Sequence, residues 1–244
     1  MRSLVITLSA FVVLFFASCD TLNQATQILS QTGLGNPSPT EINMGLKQAL
    51  EFGTSSSAER LSATDGFFAN AAIKILFPEE AQKVERTLRS VGLNKLADNV
   101  ILSINRAAEA AAIEAKPIFI SAVKGMTFSD ASNILLSGQQ DAATSYFKRV
   151  TSQQLADRFK PIIESNLQKV GATRNWTEAI TAYNRIPLVG KVNPDLSAFV
   201  TGKAIDGIFF EIAQEELKIR TRLSARSTPL LQKVFAYADR NRGQ

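Results

Sequence analysis

From Ser38 to about residue 240 the apolar residues return at helical intervals, and no stretch alternates apolar with polar beyond about five residues. That pattern predicts an all-α fold: a single-domain bundle of roughly 8–10 helices. Start signals punctuate it. Ser38, Pro39 and Glu41 form a capping-box pattern that opens a helix through "TEINMGLKQALEFGTSSSAERLS". Pro78 begins another through "FPEEAQKVERTLRSVGL", with acidic residues in the first turn and glycine at the end. The alanine-rich stretch 94–115 is a third, which Pro117 must end or kink. Thr127 with Asp130, Thr151 with Gln154, and Thr228 before Pro229 predict further starts. No repeat with a solenoid period is evident.

The apolar run Leu4 to Phe16 precedes the small residues Ala17 and Ser18 and then Cys19, the only cysteine of the 244 residues. With Arg2 before it, the run has the length and flanks of an export signal, and it is too short to span roughly 30 Å of hydrocarbon comfortably. Small residues directly before a cysteine match a bacterial lipobox, so residues 1–18 read as a signal peptide and Cys19 as the lipidated first residue of the mature chain. Phe16 departs from the usual leucine, and an ordinary secreted protein with a stray thiol is the other reading. Two or three acyl chains hold a protein on a membrane far more firmly than one. Residues 19–37, uncharged after Asp20, then read as a tether with a reach of about 20–25 Å, or as one short helical stripe of Leu22, Ala25 and Leu29, and 38–240 as the helical domain. Asp20 does not decide between inner and outer membrane.

Absences narrow the chemistry. With no histidine there is no Ser-His-Asp triad, no Cys-His pair and no histidine metal site. No Walker loop or dinucleotide fingerprint occurs either. No cofactor and no metal are expected, and nucleic acid is a poor partner for an exported chain.

The polar residues that interrupt the apolar pattern are most concentrated in "SINRAAEAAAIEAKPIF", residues 103–119. Asn105 and Glu109 share one helical face, Arg106 and Glu109 are spaced to pair, and Glu114 and Lys116 come next. The alanines between them leave little steric cover, so a second helix can approach closely. Such a cluster is either a buried ion-pair network or the floor of a pocket. Asn105, Arg106, Glu109, Glu114 and Lys116 are therefore the candidate ligand or buried polar network, with no catalytic residue assigned.

In residues 201–220, Lys203, Asp206 or Gly207, Phe210 and Gln214 fall on one face, and Glu211, Glu215 and Lys218 on another. The second face is expected to be solvated; Glu211 and Glu215, four residues apart, are the lesser reading as metal ligands, because bundle sites of that type also use histidines. "DGFF" at 65–68 and "DGIFF" at 206–210 echo one another, as helix packing or chance would produce. Lys218, Arg220, Arg222, Arg226, Lys233, Arg240 and Arg242 read as a solvated, frayed terminus or as a patch facing anionic lipid headgroups.

The blocks "GLKQAL", "DGFF", "LRSVGLNKLAD", "SINRAAEAAAIEAKPIF", "DAATSYF", "FKPII", "KVG", "IPLVG", "DLSAFVTGKAIDGIFFEIAQEE" with a following Ile-Arg, and "LLQKVF" span residues 43 to 236. In these the chain resembles the bacterial envelope family called domain of unknown function 4197. The resemblance implies an all-helical, exported and often lipidated single-domain protein of unassigned activity, and it carries over no catalytic residue. The favoured function is a lipid-anchored periplasmic binding or scaffolding module that meets the membrane through Cys19 and an envelope protein, lipid or glycan through a groove or pocket. A carboxylate-dependent envelope hydrolase, with Glu109 as acid or base tuned by Arg106, is the alternative.

Overall fold

Ser38 caps the first helix as its sequence predicts: its hydroxyl accepts the N–H of Glu41 at 3.2 Å, and the Glu41 carboxylate accepts the N–H of Ser38 at 2.8 Å. The computed structural model describes residues 35–90, 92–173, 176, 177, 181, 184, 185, 191, 193 and 195–242. The expected signal peptide, Cys19 and the tether up to residue 34 lie outside the described residues, as does the IPLVG block.

Among the described residues, the helices that can be delimited are α1 (Pro39–Ser62), α2 (Gln82–Ser90), α3 (Asn94–Ala112), α4 (Ala115–Gly125), α5 (Phe128–Leu136), α6 (Ala142–Lys169), α7 (Leu196–Thr221) and α8 (Pro229–Asn241). Short 3₁₀ turns at Glu79–Ala81 and Leu223–Ala225 precede α2 and α8. The fold is all-α, with no strand among the described residues. Among them, no helix is long and apolar enough to cross a membrane.

Most start signals work as read. Thr127 and Asp130 form a second capping box on α5, and Thr228 caps α8 just before Pro229. Two readings are corrected. Thr151 starts nothing: it lies inside α6, where its hydroxyl donates to the Phe147 carbonyl one turn back at 2.7 Å. The helix predicted over 94–115 ends at Ala112, because the chain turns at Ile113 and Glu114 and puts Pro117 in the first turn of α4. There its missing N–H costs nothing.

α6 packs between α3 and α7, while α1 crosses α4 and α7 and is covered at one end by α8. Ala97, Ala107, Ala108, Ala111 and Ala112 are fully buried, the close approach that an alanine stripe permits. Phe119 meets Phe147 and Phe209 edge-on at centroid distances of 5.3 and 6.1 Å, joining α4, α6 and α7.

The start of α6 was not legible. Asp141 gives α6 no side-chain cap. Glu216 of α7 supplies it instead, accepting the N–H groups of Ala143 and Thr144 at 2.9 Å each and the Thr144 hydroxyl at 2.9 Å. Arg220 completes this buried carboxylate at 2.7 Å and donates onward to the Ile134 carbonyl.

Candidate functional site

Residues 63–78 connect α1 to the 3₁₀ turn without forming a helix of their own, and the polar residues singled out on α3 hold this stretch in place. It begins with a tight turn. Asp65 takes a left-handed conformation (φ 68°), which aspartate tolerates better than most residues, and Gly66 has no room for a Cβ against the Arg60 and Leu61 carbonyls.

Glu109 secures the two residues after that turn. One of its oxygens accepts the N–H groups of Phe67 and Phe68, each at 3.1 Å, and the other accepts Arg106 at 2.6 Å. Arg106 reaches on to Asp65 at 2.6 Å, so a carboxylate and a guanidinium of α3 clamp both sides of the turn. The Arg106 guanidinium is held above its ordinary value, first by its bond to Glu109 and then by Asp65.

Asn105, one turn earlier and fully buried, does the same for the far end of the stretch. Its side-chain oxygen accepts the Ile75 N–H at 2.9 Å, and its amide donates to the carbonyls of Ile75 at 2.8 Å and Ile101 at 2.7 Å. Both main-chain groups of Ile75 are thus paired by one side chain.

α7 secures the middle. Asn70 donates to Glu211 at 3.0 Å, and Arg60 bridges Glu211 and Glu215 at 3.1 and 2.8 Å. The face of Glu211, Glu215 and Lys218, expected to be solvated, is therefore an ion-pair network joining α7 to α1, with Lys218 on Glu215 at 2.8 Å. The DGFF and DGIFF stretches meet in space: Phe67 lies against Gly207.

This fixed stretch forms one wall of a cleft of about 610 Å³, and α7 forms the other. The volume falls within the roughly 300–1,000 Å³ range of small-molecule sites. Among the described residues, Ile73, Leu76 and Phe77 face Phe199, Lys203, Asp206 and Phe210. The α7 wall includes Lys203, Asp206, Gly207 and Phe210 of the face read from the spacing; Gln214, read with them, does not line the cleft. Lys203 and Asp206 are exposed, and neither makes an ion pair among the described residues.

Of the five candidate residues, Asn105, Arg106 and Glu109 serve one brace, Arg106 paired with Glu109 and Asn105 bonded separately to Ile75 and Ile101, and none of the three lines the cleft. Glu114 and Lys116 stand apart from the brace: Glu114 is half-buried with no side-chain partner among the described residues, and Lys116 pairs with Glu59 of α1 at 2.6 Å near the surface. Glu109 is 4 % exposed, both its oxygens are engaged and it does not line the cleft, an arrangement suited to holding backbone and poor for proton transfer to a substrate. Glu211 and Glu215 are committed to Arg60, Asn70 and Lys218, and the described residues include no cluster of metal-ligating groups.

The C-terminal basic residues are not one patch. Arg220 and Arg226 are buried, Arg226 donating to the carbonyls of Ile219 and Arg220 at 3.0 Å each and pairing with Asp239 at 2.8 Å. Lys233 pairs with Glu41 at 2.8 Å, and burial pushes the half-buried Arg242 below its ordinary value, with help from nearby Arg220. Arg222 and Arg240 remain exposed. A run of arginines reads as solvated from composition alone; the i,i+4 spacing of Glu216 and Arg220 was the available sign of burial.

No curated protein and no solved structure matches this chain. The profile of one family does, over residues 36–236, which take in nearly all of the described helices. The chain belongs to the family described as Protein of unknown function (DUF4197).

Proposed function

We propose that the chain is a lipid-anchored protein of the bacterial cell envelope, facing the periplasm, that serves as a binding or scaffolding module with the cleft between residues 72–79 and α7 as its ligand site. One observation carries the reading. The buried polar groups of α3, Asn105 and Glu109, hold an irregular stretch of backbone in one shape, and that stretch walls the cleft. Polar groups buried at this cost are kept where a unique geometry matters, and a preformed wall lowers the ordering cost of binding.

Cys19 supplies the anchor in this reading and the residues after it the tether. Metabolic labelling with a palmitate analogue tests it: the wild type takes up label and Cys19→Ala does not. The ligand site is tested by native mass spectrometry of the protein purified from envelope extract. A retained mass on the wild type that is lost from Phe210→Glu supports the cleft; a bare mass in both, or the same added mass in both, counts against it.

A further inference from the structure

We infer that the cleft takes an extended stretch of polypeptide, paired as an added strand along the outer edge of residues 74–77. The inference rests on the binding-module reading and deepens it by naming the ligand class. Residues 74–78 are not helical, and Asn105 pairs with the N–H and the carbonyl of Ile75 as a neighbouring strand would. In an extended chain the main-chain groups of successive residues point to opposite edges. Those of Leu76 therefore point away from Asn105, and neither has a hydrogen-bond partner among the described residues. The side chains alternate accordingly, with Ile75 and Phe77 buried and Leu76 54 % exposed.

An open donor and acceptor on one residue match a peptide backbone, which presents the same pair at every second residue. The rest of the cleft suits such a ligand. Phe199 and Phe210, the latter 39 % exposed, offer apolar contact to its side chains. Lys203 and Asp206 on the α7 wall and Lys74 and Glu79 on the other offer both signs of charge, none of them in an ion pair among the described residues. A purely anionic headgroup, which can only accept, would leave the Leu76 carbonyl without a donor.

The test is selection of a random dodecapeptide library displayed on phage against the purified full-length protein. Selected peptides should lose about tenfold or more in affinity when N-methylated at alternate residues and little at the residues between. Leu76→Pro, which removes the edge N–H and leaves Ile75 in the extended form that a following proline favours, should lower their affinity to a similar degree with unchanged thermal unfolding. If that variant unfolds early, the N-methyl scan decides alone. No enriched peptide, or peptides indifferent to N-methylation, overturns the inference. A lipid or glycan mass retained by the wild type and lost from Phe210→Glu, with no peptide enriched, overturns the polypeptide and leaves the cleft reading standing; neither peptide nor retained mass removes both.

Discussion

The ring of Phe67 rests against the bare backbone of Gly207: a Cβ at position 207 would stand 2.5 Å from Phe67 Cε1. Phe67 is fully buried and its N–H is held by Glu109, so the ring has little freedom to retreat. This contact, with the Asn70–Glu211 bond, ties the wall of the cleft to α7.

Gly207→Ala is therefore expected to destabilise. Overpacking costs about 1–3 kcal/mol, against a gain of about 1 kcal/mol in helix propensity, for a net fall of a few degrees in Tm. Gly202, on the same helix with open space around it, is the control: Gly202→Ala should raise Tm. Thermal unfolding by circular dichroism reads both.

Removing the braces should loosen named amides. Glu109→Ala leaves two backbone donors and Arg106 without their acceptor and should cost about 3–5 kcal/mol. Glu109→Gln keeps an oxygen for the two N–H groups and loses the ion pair, at about 1–3 kcal/mol, since Arg106 is partly solvated. Hydrogen exchange should quicken at Phe67 and Phe68 in these variants and at Ile75 in Asn105→Ala, ahead of the amides of α6.

How far this brace is legible in the sequence depends on where its parts lie in the chain. Asn105, Arg106 and Glu109 stand out because polar residues on an alanine-rich helix need partners, and the spacing puts Asn105 and Glu109 on one face. The distant partners of Asn105 and Glu109 are backbone groups about thirty to forty residues away, which leave no trace in side-chain pattern, while Arg106 meets the carboxylates of Glu109 and Asp65. Glu114 and Lys116 group with them by proximity alone, and the turn after Ala112 separates them. Asp195 caps α7 locally and goes unread, while the starts marked by a capping box or by threonine before proline, those of α1, α5 and α8, are legible. The start of α6 is not, because its cap, Glu216, comes from another helix.

The first turn of α1 should respond to acid in a narrow window. The Lys233 ammonium, and then the N–H and hydroxyl of Ser38, hold the Glu41 carboxyl down to about 2 from an ordinary 4.5. Because the folded value lies below the unfolded one, the contact stabilises fully above about pH 4.5 and is lost as the pH falls toward 2. An NMR titration of the Glu41 carboxyl should show this midpoint, and Lys233→Met should raise it.

Glu216 caps α6 and neutralises Arg220, and the two roles can be separated. Glu216→Ala should cost about 3–5 kcal/mol. Adding Arg220→Met should restore only part of that, because the N–H groups of Ala143 and Thr144 remain without an acceptor. Urea denaturation of the single and double variants measures the difference.

The claim at the centre is that the stretch braced by Asn105 and Glu109 presents a binding cleft. In-cell photocrosslinking tests it most directly, with a photoreactive residue at Leu76 in the cleft and at Val150, an exposed apolar position on α6. A discrete crosslinked species from position 76, absent from position 150 and abolished by Lys203→Glu with Phe210→Ala, is the predicted result. No species from position 76, or the same species from both positions, would contradict it.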